Sequence, residues 1–332
     1  MFGGPYPWSF YRGQWTPLPP APKGDYLKGK IVVITGATSG IGLEATKEFA
    51  KASPEQLILA VRSTDAGEKL LNEIRKLNPK VQGKVMYLDL TELQSVKDFS
   101  AAVKEFGRID LLINNAGINP NFDEGPYVVT KDGYERTFQT NVLSTFLTTA
   151  LLLPLLKQSS EPKVIFTGSD VHHIAPSDLI EGAIAIGQGI INAYNDESKY
   201  RNPTRYYESK QLLQMLSRTL IKRLPTITII NTNPGLAMTN LGREFNIGFS
   251  PRAIGGIIWF LLFARSAGKA ARCLTTTAAW QGGSQDYWSE GVPAASENTY
   301  LYSGKGIRAT QLFYDEMLKE LEKISPECTT EL

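Results

Sequence analysis

The stretch "VITGATSGIG", residues 33–42, decides the fold of this chain. It starts in an apolar run of strand length and continues into helical spacing, so Gly36, Gly40 and Gly42 stand where a strand turns into a helix. Glycines there permit a tight turn and let the backbone approach a pyrophosphate, which the helix N-terminus then holds. The stretch predicts a dinucleotide-binding turn, and a purely structural turn is the alternative.

Short apolar runs alternate with helical patterns along the rest of the chain. Seven runs are rich in β-branched residues and lack clean polar alternation, which is typical of strands covered on both faces. They lie at 31–35, 57–61, 85–89, 111–115, 164–169, 228–231 and 299–303, and helical spacing occurs at 41–52, 66–77, 93–106 and 134–156. Repeated β-α-β units predict an α/β fold: one doubly wound Rossmann domain with a seven-stranded, mostly parallel sheet.

The composition excludes several classes of protein. Lysine and arginine number 35 against 33 aspartate and glutamate, so the chain lacks the basic surface of a nucleic-acid binder. Two cysteines, Cys273 and Cys328, form no disulfide framework, and we expect a cytoplasmic, reducing compartment. The only histidines are His172 and His173, so the sequence offers no ligand set for a zinc site.

The chain divides into three parts. Residues 1–27 are rich in proline and aromatic residues, and we expect an extended arm, either lying on the domain surface or binding a partner. Residues 28–324 form the predicted dinucleotide-binding Rossmann domain, and 325–332 read as a polar tail.

The end of the second predicted strand bears on cofactor choice. The stretch "LAVRS", 59–63, has no acidic residue to bind the ribose hydroxyls of NAD, and Arg62 would attract a 2′-phosphate. This pattern favours NADP(H) over NAD(H), and a solvated surface arginine is the alternative.

The stretch "RYYESKQ", 205–211, places two tyrosines before a lysine. Tyr206 precedes Lys210 by four residues and Tyr207 by three, and either spacing brings a phenol beside an ammonium on a helix. A nearby ammonium favours the phenolate, so we expect Lys210 to lower the pKa of its partner. Spacing alone does not choose between the tyrosines.

Together these motifs resemble the classical short-chain dehydrogenase/reductase family, most closely its retinol-dehydrogenase-like branch. The resemblance spans roughly 28–310 and rests on seven motifs in the family's order. They are "TGATSGIG" (35–42), "LDLT" (88–91), "NNAG" (114–117), Asn141, Ser169, the Tyr206 to Lys210 spacing, and "NPGLAMT" (233–239).

The resemblance implies a role for each catalytic residue. It selects Tyr206 as the general acid/base, with Lys210 tuning it and binding the nicotinamide ribose. Ser169 would hold the substrate oxygen, and Asn141 would anchor a water that replenishes the proton. The cofactor contacts that it implies are Gly36, Thr38, Ser39, Gly40, Ile41, Gly42, Arg62, Asp89, Leu90, Asn115, Ala116, Gly117, Tyr206, Lys210, Pro234, Gly235 and Thr239.

Two of these cofactor contacts have structural alternatives. Asp89 and Leu90 would surround the adenine, but Asp89 could equally cap the following helix. Asn115 would lie on the adenosine side of the cofactor, but it could simply brace the central strands. The resemblance places Thr239 on the nicotinamide side.

Two segments bear on the substrate. Residues 170–205 are too long for a structureless loop and should fold locally, and His172 and His173 in them act on substrate or serve as polar loop side chains. Residues 236–265 correspond to a helical lid, in which "AIGGIIWFLLFA" (253–264) is too short to span a bilayer. Its apolarity favours a small hydrophobic substrate, or shallow contact with an intracellular membrane; a buried lid helix is the alternative.

The sequence therefore predicts a short-chain NADP(H)-dependent carbonyl reductase or alcohol dehydrogenase. It would interconvert a hydrophobic ketone or aldehyde and its alcohol by hydride transfer. The alternatives are an NADP(H)-sensing scaffold without turnover and an epimerase or dehydratase on the same fold. Family resemblance further implies a homodimer or homotetramer formed through helices beside the site.

Overall fold

The structure is a computed structural model, which describes residues 7–119, 126–202, 204–239 and 259–332. Its main sheet contains β1 Ile31–Thr35, β2 Gln56–Val61, β3 Gly83–Tyr87, β4 Leu111–Asn114, β5 Lys163–Thr167, β6 Thr228–Thr232, β9 Gln285–Ser289 and β10 Val292–Pro293. A second sheet pairs β7 Ala237–Met238 with β8 Arg265–Ser266. The main sheet has the order β10-β9-β6-β5-β4-β1-β2-β3, and only β10 pairs antiparallel. This is a Rossmann-like α/β fold.

Helices cover both faces of the main sheet. Those described are Trp8–Trp15, Gly40–Lys51, Thr64–Leu77, Leu93–Val103, Arg136–Leu156, Asp178–Ile186, Ile190–Tyr194, Thr204–Arg223, Ala267–Ala279, Thr299–Tyr302 and Gly304–Ile324, with short 3₁₀ turns at Lys104–Phe106, Asp170–Ile174 and Glu197–Lys199. All five residues of β1 are buried, and their side chains alternate between two hydrophobic clusters, one on each face. This explains why the strand sequences lack polar alternation.

The strand order brings the candidate site to one edge of the sheet. From β1 the chain winds to β2 and β3 on one side, then returns to β4, β5 and β6 on the other. Parallel strands whose order reverses in this way leave a crevice at their carboxyl ends. The loops that follow β1, β4, β5 and β6 all open at this edge.

The seventh predicted strand was wrong. Residues 299–302 are helical, because the Asn298 side chain accepts a hydrogen bond from the Leu301 backbone and caps helix Thr299–Tyr302. The seventh parallel strand is β9, and β10 makes the sheet eight-stranded rather than seven-stranded.

The segments outside the central domain also fold. The predicted extended arm is wrong over Trp8–Trp15, which is helical. The tail at 325–332 turns back onto the domain, with Cys328 buried against the core. Of the predicted lid, 240–258 lie outside the described residues, whereas 259–263 are helical.

Helices Thr204–Arg223 and Arg136–Leu156, which lie beside the site, are covered by other parts of the chain. Residues 205–217 of helix Thr204–Arg223 are all buried, and helix Gly304–Ile324 packs along this helix. Helix Arg136–Leu156 is long and apolar enough to cross a membrane, and no other helix among the described residues meets that test. The most apolar stretch of this helix is 89% buried within the protein, as in a core helix.

Candidate active site

The glycine turn forms a cradle at the end of β1. Gly36 and Gly40 have φ of +69° and +54°, in the left-handed region that favours glycine. A Cβ on Gly42 would lie less than 3.0 Å from the Gly36 carbonyl oxygen and the Asn115 Nδ2. Ser39 precedes helix Gly40–Lys51, and its side chain makes no capping hydrogen bond. This helix start therefore presents first-turn amides suited to an anion.

The loop after β4 is tied to the glycine turn. Asn115 Nδ2 donates to the Thr35 carbonyl at 2.9 Å, while the Thr35 hydroxyl accepts from the backbone amides of Asn115 and Ala116 at 3.0 and 2.9 Å. Asn115 thus braces the ends of β1 and β4, which is the alternative to a cofactor contact that the sequence left open. Thr35 was not among the predicted site residues, although it is the first residue of the motif "TGATSGIG".

The segment after β3 lies on the same edge. Asp89 Oδ1 accepts from the Thr91 backbone amide and hydroxyl, both at 2.8 Å, so it closes a local turn. It does not cap helix Leu93–Val103, whose first amide donates to Asp132 Oδ2 at 2.8 Å. Leu90 is buried, and its carbonyl accepts from Ser144.

The remaining predicted cofactor contacts border this crevice. A Cβ on Gly40 would lie 3.0 Å from the Thr239 Cβ, so the loop after β6 meets the glycine turn. A Cβ on Gly117 would lie 3.1 Å from Asn141 Oδ1 and 3.8 Å from Lys210 Nζ. The same loops contain Thr38, Pro234 and Gly235, and Ile41 lies in the first turn of helix Gly40–Lys51. Arg62 is exposed just beyond β2.

Tyr206, Ser169 and Lys210 come together at the centre of this edge. The Ser169 side chain reaches the Tyr206 hydroxyl, where its hydrogen bonding acts to lower the pKa of that phenol. Lys210 Nζ lies 5.6 Å from the Tyr206 ring centroid and donates to the Thr167 carbonyl at 2.8 Å. Tyr207 packs against Tyr206, with ring centroids 6.4 Å apart. The Ser169 contact thus supports the assignment of Tyr206.

Asn141 lies on a π-helical turn, Gln139–Leu143, inside helix Arg136–Leu156. Its Oδ1 accepts from the Ile118 amide, and its Nδ2 donates to the Ile118 carbonyl, both at 2.8 Å. The same Nδ2 donates to Ser209 Oγ at 3.0 Å, which joins this turn to the helix that carries Tyr206. These bonds fix the side chain, and π turns inside helices often occur at functional sites.

Burial dominates the protonation of this site. It raises the pKa of Tyr206 to about 12 and lowers the pKa of Lys210 to about 8. Burial thus outweighs any lowering by Lys210, and the pKa of Tyr206 lies above its ordinary value. The hydrogen bond with Ser169 opposes the rise without reversing it. The phenol is protonated at neutral pH and is available as a proton donor.

His172 supports the serine loop. It is buried, its Nδ1 lies 2.6 Å from the Ser169 carbonyl oxygen, and its Nε2 lies 2.7 Å from Ser296 Oγ. Burial lowers the pKa of His172 to about 3, so the ring is neutral. With both ring nitrogens engaged, His172 holds the backbone of Ser169 rather than acting on substrate. His173 Nε2 accepts from the Glu297 backbone amide.

The segment at 170–205 folds into helices beside the site. Its last residue, Arg205, is fully buried and stacks on Tyr194, with its guanidinium carbon 4.6 Å from the ring centroid. Arg205 also forms an ion pair with Glu135, Nε to Oε2 at 3.8 Å. Glu135 in turn caps the helix that carries Asn141 by accepting from the Thr137 and Phe138 amides. The segment thereby connects the helices that carry Asn141 and Tyr206.

Comparisons with known proteins agree with this architecture. The family profile described as short chain dehydrogenase matches residues 30–177. Short chain dehydrogenase FGM9 of Gibberella zeae is 32% identical over 96% of this chain and 93% of its own length. Human retinol dehydrogenase 13 is 34% identical over 71% of this chain and 68% of its own length.

Solved structures show the same fold. Salutaridine reductase from Papaver somniferum superposes with a TM-score of 0.62 at 18% identity, covering 78% of this chain and 99% of that one. The Pseudomonas aeruginosa RhlG/NADP active-site complex gives a TM-score of 0.61 at 22% identity, covering 80% and 96%. The chain belongs to the short-chain dehydrogenase/reductase family of oxidoreductases, and retinol dehydrogenase 13 is among its relatives.

Proposed function

We propose that the protein is an NADP(H)-dependent carbonyl reductase or alcohol dehydrogenase acting on a hydrophobic ketone or aldehyde and its alcohol. The observation that carries this proposal is the meeting of Tyr206, Ser169 and Lys210 at the crevice edge, beside the glycine cradle. The cradle fits a dinucleotide, because the side chain missing at Gly42 leaves the helix start packed against β1 and its amides open to a phosphate.

In this proposal a bound nicotinamide cofactor supplies the hydride for reduction and accepts it for oxidation. Tyr206, protonated at neutral pH, donates its proton to the substrate carbonyl oxygen, and the Ser169 hydroxyl orients that oxygen. Lys210 places a positive charge 5.6 Å from the Tyr206 ring centroid, which stabilises the phenolate left after the transfer. Asn141 would anchor the water through which the proton is replaced.

Arg62 supports the preference for NADP(H). It is exposed beyond β2, at the edge where the ribose of the adenosine half would lie. A guanidinium binds a 2′-phosphate by charge-assisted hydrogen bonds, worth about 1.5–3 kcal/mol for such a group.

The preference is tested with Arg62→Asp. It should weaken NADPH binding about 10–100-fold relative to NADH. Lys80→Asp is a charge-matched control, because Lys80 is exposed at the opposite edge, before β3. An unchanged NADPH to NADH affinity ratio in Arg62→Asp would refute the preference.

The chemistry is tested by following NADPH oxidation with a panel of hydrophobic ketones and aldehydes. Tyr206→Phe should lower kcat at least about 100-fold, because it removes the proton donor, whereas Tyr207→Phe retains most activity. Equal losses in both variants would reject the assignment of Tyr206. Binding of NADPH without turnover of any panel member would favour the alternative, an NADP(H)-sensing scaffold protein.

We place the protein in the cytoplasm, at the surface of an intracellular membrane. Support comes from two free, buried cysteines and from the exposed Leu261 and Leu262 of the lid helix. Sedimentation with phospholipid vesicles tests the membrane contact, and protein that stays entirely in the supernatant would exclude it.

A further inference from the structure

The N-terminal arm packs against residues between 259 and 297, in the C-terminal third of the chain. The Phe10 ring stacks on Trp259, with centroids 6.1 Å apart and planes 8° apart, and Trp15 stacks on Phe263 at 5.0 Å. Ser9 Oγ donates to Glu297 Oε2 at 2.6 Å. Helix Trp8–Trp15 thus has a defined seat against the described part of the lid.

The last turn of this helix reaches the loop after β6. Arg265 is buried, donates from Nη2 to the Gly13 carbonyl, and lies 3.4 Å from the Pro234 carbonyl oxygen through Nη1. A Cβ on Gly235 would lie 3.0 Å from Gln14 Nε2 and 3.1 Å from Gln14 Oε1. Arg265 therefore clamps the arm to the loop, and the Gln14 carboxamide rests against Gly235.

Gln14 is buried near the end of helix Trp8–Trp15. It is 6% exposed, and neither its Oε1 nor its Nε2 has a partner in the part of the chain that the structure describes. A buried amide that lacks a partner costs free energy, whereas an apolar side chain of the same shape would not. A ligand that supplies one donor and one acceptor at this point would satisfy both atoms.

We propose that the arm belongs to the cofactor site, with the Gln14 carboxamide binding the nicotinamide carboxamide. This inference rests on the proposed function and on the expectation that Thr239, in the same loop after β6 as Gly235, lies on the nicotinamide side. Two carboxamides match because each offers an N–H donor and a carbonyl acceptor in the same plane. Gln14 is thus a cofactor ligand contributed from outside the Rossmann domain, and Arg265 is its positioning residue.

Binding measurements on Gln14→Met test the inference without relying on turnover. Methionine keeps the length of the side chain and removes both polar atoms, so folding should be preserved. Equilibrium titration compares NADP⁺ with its 3-acetylpyridine analogue, in which a methyl group replaces the amide nitrogen. The wild-type protein should prefer NADP⁺, and Gln14→Met should bind NADP⁺ about tenfold more weakly and lose the preference.

Controls separate the possible failures. Trp8→Ala removes an exposed side chain from the outer face of the same helix and should leave both affinities unchanged. The fragment 2′-phospho-ADP-ribose lacks nicotinamide and should bind wild type and Gln14→Met equally. Equal NADP⁺ affinity and an unchanged preference in Gln14→Met would overturn the inference alone. If neither NADP⁺ nor the fragment binds the wild-type protein, the proposed function fails with it.

Discussion

An added methyl group at Gly42 tests the glycine cradle. Alanine in a helix interior is normally better than glycine by about 1 kcal/mol. In Gly42→Ala, however, the Cβ would lie less than 3.0 Å from a backbone oxygen of Gly36 and from Asn115 Nδ2. Neither atom can yield without moving the end of β1, and such overpacking costs about 1–3 kcal/mol.

Gly182 provides the matched control. It lies in helix Asp178–Ile186, and a Cβ there meets nothing within 4 Å. Gly182→Ala should therefore stabilise the protein by about 1 kcal/mol. Since both variants share this propensity gain, the difference between their free energies of unfolding isolates the overpacking cost, about 1–3 kcal/mol.

Urea unfolding followed by circular dichroism measures that difference, and NADPH fluorescence titration measures the cradle directly. Gly42→Ala should bind NADPH at least about tenfold more weakly, because the helix amides shift away from the phosphate, whereas Gly182→Ala should bind like wild type. If Gly42→Ala were as stable as Gly182→Ala and bound NADPH normally, the close packing of this turn would have no functional consequence.

Three further predictions concern stability and assembly. The pKa of His172 is about 3 in the folded protein and 6.5 in the unfolded chain. Its contribution to the free energy of unfolding is therefore complete above pH 6.5 and falls by about 1.5 kcal/mol between pH 6.5 and 5. His172→Gln should remove that part of the pH dependence of urea unfolding, and an unchanged slope would contradict it. Lys163 Nζ donates to three carbonyls at the end of helix Ala267–Ala279, so Lys163→Met should cost about 1.5–3 kcal/mol, against 0–1 for Lys157→Met at an exposed ion pair. Equal thermal shifts would refute this difference. The family resemblance implies a dimer or tetramer through the helices beside the site, whereas the burial of helix Thr204–Arg223 by the chain itself predicts a monomer of 36.6 kDa in light scattering. A species of twice that mass would contradict the argument from burial.

Local signals explain what the sequence could predict. The β1 turn at Gly36 is determined by residues adjacent in the chain, so the fold class and the cofactor cradle follow from a few letters. The choice of Tyr206 over Tyr207 required the family pattern, and the structure adds the Ser169 hydrogen bond. The raised pKa of Tyr206 was missed because burial depends on segments distant in sequence.

Tertiary context explains the errors. Strand β9, "QDYWS", begins with two polar residues, whereas 299–303 is rich in strand-forming residues yet becomes a helix under the Asn298 cap. The arm was read as extended because of its prolines, and its helix is stabilised by packing on Trp259 and Phe263. The proximity of Gln14 to Gly235 could not be predicted from the sequence, because the two residues lie 221 positions apart in the chain.

The seat of the arm also has a consequence for biosynthesis. The contacts of Ser9 with Glu297 and of Gly13 with Arg265 join residues 288 and 252 positions apart. Ribosomes add roughly 5–20 residues per second, so helix Trp8–Trp15 waits on the order of 15–60 s for the surface that it covers. Throughout that interval its tryptophans are available to chaperones. The arm is translated long before the surface that it covers and is among the last segments to find its native contacts.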